Sequence, residues 1–401
     1  MNAISLVACS MPGSRHVGEI LIADSLRALH DFRVQTIAIT SNPATVGTLD
    51  STWNSSWLEP PLESAATAKP NWLVGVKNGV RRILSYERFA RQKADEVHAR
   101  VIAAGGSRLW AILDSIAVID VVYFLVKKFS VPLFVQVWDD PQHLIFLRNL
   151  DSLSARRTLG RFRFLIRHAE KVAVISEQMQ TAYEPDTQEK PIIIRHGMGS
   201  TSAIPCRITD PSQFRIGFCG SMYATTAWKA FQQALYLKRW KLGGKKVQML
   251  IASPVIELDS GTPADVRFYG WQSPHDTVQL MAACDLLYLP QGFEPGQRPI
   301  TELSFPTKLS TYAQTGKPVF VHSPAYGSLT EFCKQQQFGC LCNDLNAMNI
   351  AQMLESLASD SASLDRMALS TRRIGQGVLS REHFQAQVRE FLLPDQKAFI
   401  G

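Results

Sequence analysis

Three stretches of the sequence set cations, glycines and hydroxyls in the order that anion binding requires. The fullest is Ser304-Phe305-Pro306-Thr307-Lys308-Leu309-Ser310-Thr311-Tyr312-Ala313-Gln314-Thr315-Gly316-Lys317-Pro318-Val319. Pro306 suits the first turn of a helix, Gly316 suits its stop, and Pro318 leads into a strand, so Lys308 falls inside the first turn. The helix dipole and the lysine both attract an anion, and their pairing is electrostatically odd without one. Lys308 is therefore a phosphate candidate, the alternative being a plain surface lysine. The second stretch, Gly217-Phe218-Cys219-Gly220-Ser221-Met222, closes an aliphatic run. Gly220 and Ser221 can offer N–H and hydroxyl groups to a diphosphate, although ordinary strand-to-helix turns use glycine in the same way. Lys229, farther along, is either a second cation or part of a solvated face. The third stretch runs from Met11 to Gly18, where Gly13 and Gly18 either admit a ligand close to the backbone or simply shape the turn.

Carboxylates supply the other chemistry. Trp138-Asp139-Asp140-Pro141-Gln142-His143 follows a strong strand pattern. Its aspartates and His143 can bind hydroxyls, hold a divalent metal or move a proton, or Asp140 can cap a helix that opens on Pro141. Glu294 and Glu302 precede the lysine stretch, and Glu294 is preferred as a catalytic or sugar-contacting group because its loop directly follows the strand ending at Leu289. No metal site is expected, since Cys340-x-Cys342 lacks the partner ligands of a zinc centre. A phosphate-binding Walker loop and a nucleophile elbow are absent from the sequence, and the first strand-loop lacks the full dinucleotide glycine fingerprint.

The elements that must carry these residues alternate between short aliphatic runs and helical patterns, the signature of α/β architecture with parallel sheets. Strands are expected at Ile4 to Ala8, Val34 to Ile39, Leu109 to Leu113, Leu133 to Val137, Lys171 to Ile175 and Ile192 to Ile194. Ser200 to Gln213 is poor in apolar periodicity and suits a linker. The alternation restarts with strands at Phe214 to Phe218, Lys246 to Ile251, Val266 to Tyr269, Leu286 to Leu289 and Pro318 to His322, and helical segments follow, among them Leu345 to Ala358 with Asp344 as N-cap. Two Rossmann-like domains result, residues 1–205 and 206–401.

Composition agrees with two packed domains: apolar residues make up 46 % of the 401 and charged residues 19 %. A net charge of +7 and a pI near 9.0 favour an anionic partner without choosing among nucleic acid, lipid and phosphorylated small molecules. Seven cysteines, mostly scattered singly, make no disulfide framework and point to a reducing compartment. The first residues read as a buried strand rather than an export leader, and Leu109 to Val126, the most apolar window, is broken by Asp114 and Asp120. A cytoplasmic location is expected, with any membrane contact peripheral.

Ser304 to Val319, followed by His322-Ser323-Pro324 and Glu331-Phe332, resembles the donor-binding segment of bacterial retaining glycosyltransferases of the GT-B fold, in particular the family 4-like, group 1 enzymes. Phe214 to Gly220, Val266-Arg267-Phe268-Tyr269-Gly270 and Ala283 to Pro290 resemble further parts of that domain in the same order, and Val172 to Glu177 with Ile194-Arg195-His196-Gly197 resembles the end of its N-terminal partner. The resemblance implies two Rossmann-like domains facing across a cleft. It implies transfer of a sugar from a nucleoside diphosphate sugar to a hydroxyl acceptor with retention, in polysaccharide or glycoconjugate synthesis. No separate cofactor is required and no nucleic acid is involved. Gly220, Ser221, Lys229, Lys308, Thr311 and Glu331 would line the donor site, Gly13 and Gly18 would belong to the acceptor side, and Asp140, His143 and Glu294 would act in catalysis. Two places depart from the family pattern. Thr311 stands where a ribose-binding glutamate is usual, and Ser221 and Thr226 stand where an arginine and a lysine are usual. These departures keep open a non-catalytic nucleotide-sugar binding or scaffold subunit, and a sugar-nucleotide epimerase is a third reading.

Lys77, Arg81, Arg82, Arg88, Arg91 and Lys93 alternate with Trp72, Leu73, Val76, Val80, Ile83 and Leu84. This pattern makes either a basic amphipathic surface for the inner face of a membrane, suited to a lipid-linked acceptor, or an ordinary helix with its cations in water.

Overall fold

The computed structural model describes residues 3–40, 54–60, 72–199, 210, 212–253, 256–258 and 265–393. The chain divides into two compact units, residues 1–194 with 385–401, and residues 195–384. The sequence boundary at 205/206 and most of the expected linker lie outside the described residues.

In the first unit the order is β1 (Ala3–Ala8), α1 (Val17–Arg27), β2 (Arg33–Ile39), β3 (Asn54–Leu58), α2 (Trp72–Ala103), β4 (Gly106–Ile112), α3 (Ile116–Lys128) and β5 (Leu133–Gln136). There follow α4 (Pro141–Leu147), α5 (Ser152–His168), β6 (Lys171–Val174), α6 (Glu177–Tyr183) and β7 (Ile192–Ile193). The strands form one parallel sheet in the order β3-β2-β1-β4-β5-β6-β7. All six residues of β1 and all four of β5 are buried, as helices on both faces of a parallel sheet require. Ser115, Asp140, Asp151 and Ser176 each accept a backbone N–H at the start of a helix, so short polar side chains set where α3 to α6 begin. Asp120, placed inside an apolar helix by the sequence, is buried against two arginines of α5: Arg157 donates to it at 2.8 Å and Arg161 at 2.8 Å.

The second unit opens with β8 (Gln213–Cys219), α7 (Thr225–Leu237), β9 (Lys241–Leu242), β10 (Lys245–Ala252), β11 (Val266–Phe268), α8 (Pro274–Ala282) and β12 (Leu286–Pro290). It continues with α9 (Arg298–Leu303), α10 (Lys308–Thr315), β13 (Val319–His322), α11 (Ser328–Gln336), β14 (Cys340–Cys342), α12 (Ala347–Ser359), α13 (Ser361–Gln376) and α14 (Arg381–Leu392), whose last turns count with the first unit. Six strands run parallel in the order β11-β10-β8-β12-β13-β14, and β9 adds antiparallel to β10 through a tight Gly243-Gly244 turn. Tyr288 of β12 stacks on Phe231 of α7 at 3.9 Å between ring centroids, with Phe218, Trp228 and Phe320 around it. That aromatic centre fixes β8, β12 and β13 relative to α7.

Two expectations need correction. Pro306 lies outside its helix: Thr307 is the N-cap of α10, and Lys308 is its first residue. The helix expected to start at Leu345 under an Asp344 cap begins at Ala347 under Asn346, whose side chain accepts from Met348 and Asn349. Asp344 instead accepts from the Asn346 backbone N–H at 2.8 Å, an Asx turn that delays the helix by two residues.

Candidate functional site

In an open parallel sheet, ligands bind beyond the carboxyl ends of the strands where the strand order reverses. The second sheet reverses between β8 and β12, and the first between β1 and β4. Both points carry chemistry.

At the β8/β12 point, α10 is anchored through Tyr312. Its hydroxyl accepts the Cys219 N–H at 3.1 Å and donates to the Tyr288 carbonyl at 3.0 Å, tying the helix to the ends of both strands. Lys308, one turn earlier, is thereby delivered to the loop after β8. Its ammonium donates to the Ser221 carbonyl at 3.0 Å and lies 4.5 Å from the Phe218 ring centroid and 5.4 Å from that of Tyr223. Gly220 has φ +81° and sits against the lysine stem, where an added Cβ would be 3.6 Å from Lys308 Cε. Glycine is needed here because the backbone is left-handed and the lysine passes alongside. Burial brings the Lys308 ammonium from the ordinary 10.5 down to about 8. Such a cation, with N–H donors to spare beyond the one given to Ser221, is poised for an anion. The structure thus brings together Gly220, Ser221 and Lys308, which lie 88 positions apart at their extremes.

The other candidates of this unit fall around them. Glu294 Oε1 accepts from the Thr225 hydroxyl at 2.8 Å, the Thr226 N–H at 2.8 Å and the Thr226 hydroxyl at 2.7 Å, so this carboxylate caps the start of α7. Burial acts to raise its pKa, but the Thr226 and Thr225 hydrogen bonds prevail and hold it below the usual range. Glu294 Oε2 and Gln297 Oε1 are buried without a hydrogen-bond partner, while Gln297 donates to the Tyr223 carbonyl at 2.8 Å. Two orphaned acceptors beside the loop that holds Lys308 suit the hydroxyls of a ligand. Thr311 is half-buried on α10 with its hydroxyl 3.8 Å from the Met198 sulfur. Glu331 is in the first turn of α11 and pairs with Lys334 at 2.7 Å, and Glu302 pairs with Arg298 at 3.0 Å. Lys229 is exposed on α7, outside the contacts that gather at Lys308.

His322, part of the sequence resemblance, is buried at the end of β13. Its Nε2 faces the Asp344 carbonyl at 2.7 Å and must carry the proton, which leaves Nδ1 to accept from the Tyr288 hydroxyl at 3.0 Å. Burial lowers its pKa to about 4, in keeping with a neutral ring that ties β12, β13 and the following loop together.

At the β1/β4 point the sequence reading missed the central group. Asp114, two residues past β4, accepts the Cys9 backbone N–H at 3.0 and 3.3 Å and so bridges the reversal itself. Burial lifts its carboxyl to about 6, with the Asp139 charge acting in the same direction. Asp140 is committed to structure: one oxygen accepts the Gln142 N–H at 2.8 Å as the N-cap of α4, and the other accepts the Tyr183 hydroxyl at 2.6 Å. His143 is half-buried one residue farther along; burial lowers its pKa, opposed by Asp139 and Asp140. Gly13 donates to the Glu19 carbonyl at 3.1 Å, and a Cβ there would fall 2.5 Å from Glu19 Oε2. At Gly18 a Cβ would meet Ser10 Oγ at 3.3 Å and Trp138 at 3.5 Å. Both glycines are therefore explained by how the loop folds over Glu19 and Trp138. The sequence signal that marks Asp114 is its place just beyond a buried aliphatic strand, the position at which an open parallel sheet presents ligand-facing groups. No group of three or more metal-ligating side chains converges among the described residues.

No family model and no curated protein matches the sequence. Solved structures do match it over nearly its whole length. HepE of Anabaena, in complex with UDP and glucose, aligns with a TM-score of 0.65 at 15 % identity, covering 98 % of this chain and 99 % of that one. Sucrose-phosphate synthase of Thermosynechococcus elongatus aligns with a TM-score of 0.66 at 13 % identity, covering 97 % and 98 %. WaaG, a glycosyltransferase involved in lipopolysaccharide biosynthesis, gives 0.59 at 12 %, covering 98 % and 100 %. The architecture of the chain is that of the GT-B fold.

Proposed function

We propose that this GT-B chain transfers a glycosyl unit from a nucleoside diphosphate sugar to a hydroxyl acceptor, in the synthesis of a polysaccharide or glycoconjugate. The observation that carries the reading is the partly desolvated Lys308 ammonium held against Gly220 and Ser221 at the strand-order reversal of the second sheet. The diphosphate takes the Lys308 donors and the loop N–H groups, and its developing charge is stabilised there as the glycosidic bond breaks. The donor sugar then lies toward Glu294 and Gln297, whose free acceptor atoms take its hydroxyls. HepE, captured with UDP and glucose, and the group 1 resemblance support a nucleoside diphosphate sugar as the donor, and the same resemblance supports retention. The acceptor is lipid-borne and met at the inner face of a membrane, a reading supported by the basic character of α2.

Asp114 favours a second reading of the stereochemistry. A carboxyl near the physiological range at the reversal point of the first sheet can take the proton of the acceptor hydroxyl, and a single displacement assisted in that way inverts the anomeric centre. The anomer of the product decides between the two. Thr311 favours a different class altogether, a binding subunit, because a hydroxyl touching Met198 gives the ribose no carboxylate. A thermal-shift screen with a panel of nucleoside diphosphate sugars tests the proposal: at least one donor should raise the melting temperature of the wild type, and raise that of Lys308→Ala less at the same concentration. If no nucleotide raises it, the donor site is wrong.

A further inference from the structure

Helix α10 presents two residues in succession along one face. Lys308 and Thr311 are half-buried, whereas Leu309, Ser310, Tyr312 and Ala313 are buried, so the lysine and the threonine share the side of the helix that a ligand can reach. Side chains three positions apart on a helix are neighbours. With the donor sugar toward Glu294 and Gln297 and the diphosphate at the Lys308 ammonium, Thr311 is left to the nucleoside. The pentose of a nucleoside diphosphate is joined to its phosphate through only one oxygen and one methylene, which matches the single turn between the two residues.

What meets a pentose there is one hydroxyl and one thioether. The Thr311 hydroxyl donates to the Met198 sulfur at 3.8 Å, so its proton is engaged and its lone pairs remain to accept a hydroxyl of the ligand. Met198 is held in place from both sides. Ser310 donates to the His196 carbonyl at 2.5 Å, the Met198 N–H donates to the Leu379 carbonyl at 3.3 Å, and Met198 forms a parallel bridge with Ser380. A Cβ on Gly197 would collide with the Ser380 carbonyl, so the two backbones are as close as glycine allows. Residues 196–198 are thus clamped between α10 and the turn before α14, and the sulfur stays against Thr311. Glu302 and Glu331 are paired with Arg298 and Lys334, and Glu294 caps α7 with one oxygen.

A ribose offers a pair of adjacent hydroxyls, which a carboxylate accepts together. Thr311 and Met198 offer one good acceptor beside a thioether, which accepts only weakly. A ribose placed here would exchange water at its 2′-hydroxyl for sulfur, and burying a hydroxyl without a good partner is unfavourable. A pentose with a hydroxyl at its 3′ position and a methylene at its 2′ position loses nothing. We infer that the donor is a 2′-deoxynucleoside diphosphate sugar, selected over the ribose form by Thr311 and Met198. This deepens the proposed function and rests on the diphosphate lying at Lys308. The absent carboxylate then selects a substrate instead of disabling the site.

Titration calorimetry on the full chain tests the inference by comparing each ribonucleoside diphosphate with its deoxy partner: UDP with dUDP, ADP with dADP, GDP with dGDP and CDP with dCDP. For the base that the site accepts, the deoxy form should bind about tenfold tighter, because a weakly accepting contact rejects an added hydroxyl only modestly. Met198→Gln sets an amide oxygen close to where the sulfur was and should bring the two forms near parity. Thr311→Glu should move the ratio about tenfold toward the ribose form. A ribose form that binds as tightly as its deoxy partner, or more tightly, overturns the inference and leaves the donor site at Lys308 standing. A preference for deoxyribose that survives both substitutions also overturns it, since Thr311 and Met198 would not be its source. If no diphosphate binds in either form, the donor site is lost and this inference with it.

Discussion

The pH dependence of donor binding follows from the surroundings of Lys308. Without a ligand its ammonium is desolvated, titrates at about 8 rather than the ordinary 10.5, and donates to one protein oxygen, the Ser221 carbonyl. A bound diphosphate supplies the counter-charge that the pocket lacks, which raises the pKa of Lys308 in the complex. Binding therefore takes up no proton well below pH 8, where the lysine is already charged, and takes up close to one proton above it. The dissociation constant should be flat on the acid side of about pH 8 and rise about tenfold per pH unit on the alkaline side, until the pKa of the complex is reached. Lys308→Ala should remove this slope and weaken binding at neutral pH by about 1.5–3 kcal/mol, the worth of a hydrogen bond to a charged group. Because the lysine lies at a loop edge and its partner is a single carbonyl, the fold should tolerate the truncation. Titration calorimetry with a nucleoside diphosphate, in buffers of different ionisation enthalpy, reads both the affinity and the proton uptake. Proton uptake that stays near zero through pH 8, or an alanine variant with wild-type affinity, would refute the phosphate role. In the unliganded protein the same shift has the opposite consequence for folding. The native state binds fewer protons than the unfolded chain between about pH 8 and 10.5, so the cost to folding of this desolvated charge, full below about pH 8, is relieved as pH rises through that window.

Other residues give sharper contrasts. Thr311→Glu should strengthen binding of a ribose-containing donor by about tenfold, since it adds a carboxylate that pairs with two hydroxyls; unchanged affinity in a folded variant would mean that the nucleoside is held elsewhere. Asp140→Ala should cost about 2–4 kcal/mol in urea unfolding, the sum of a lost helix cap and a buried Tyr183 hydroxyl left unpaired; a stability loss within error would show that this carboxylate is not structural. Asp114→Asn should leave donor affinity intact while lowering turnover. If the carboxyl takes the acceptor proton, the wild-type rate should fall as pH drops through about 6 and the variant should lack that limb; matching profiles would exclude the role.

Much of the second sheet was legible because its strands are short, rich in aliphatic and aromatic residues and punctuated by glycine and proline. Phe214 to Phe218, Leu286 to Leu289 and the helix stopped by Gly316 all appear within a residue or two of their expected places. Lys308 was legible for a related reason, since a lysine at a helix start is locally unfavourable and so points to something outside the local sequence. What escaped depends on pairs distant in the chain. Helix α5 was not expected: its five arginines obscure the apolar stripe of Phe162, Leu165 and Ile166, and two of them are neutralised only by Glu87 and Asp120, 70 and 37 positions before Arg157. Asp114 gained its meaning only when β1 and β4 became neighbours and set it against Cys9, 105 positions away in sequence. Glu294 was singled out for chemistry, and the structure shows half of its carboxylate occupied by Thr225 and Thr226, which no local pattern connects to it. The C-cap of α10 at Gly316 is encoded in a few adjacent residues, whereas a buried ion pair is encoded in two helices and the strand order between them.

The most direct test of the central claim is turnover. The purified chain is incubated with a panel of nucleoside diphosphate sugars and a membrane lipid extract as the source of acceptor, and the nucleotide and glycolipid products are followed by mass spectrometry. Glycosyl transfer predicts that one donor releases its nucleoside diphosphate while a lipid gains the mass of the sugar, and that both signals vanish with Lys308→Ala. Saturable binding of a donor that is returned intact, with no lipid gaining mass, would contradict transfer and make the chain a nucleotide-sugar binding subunit.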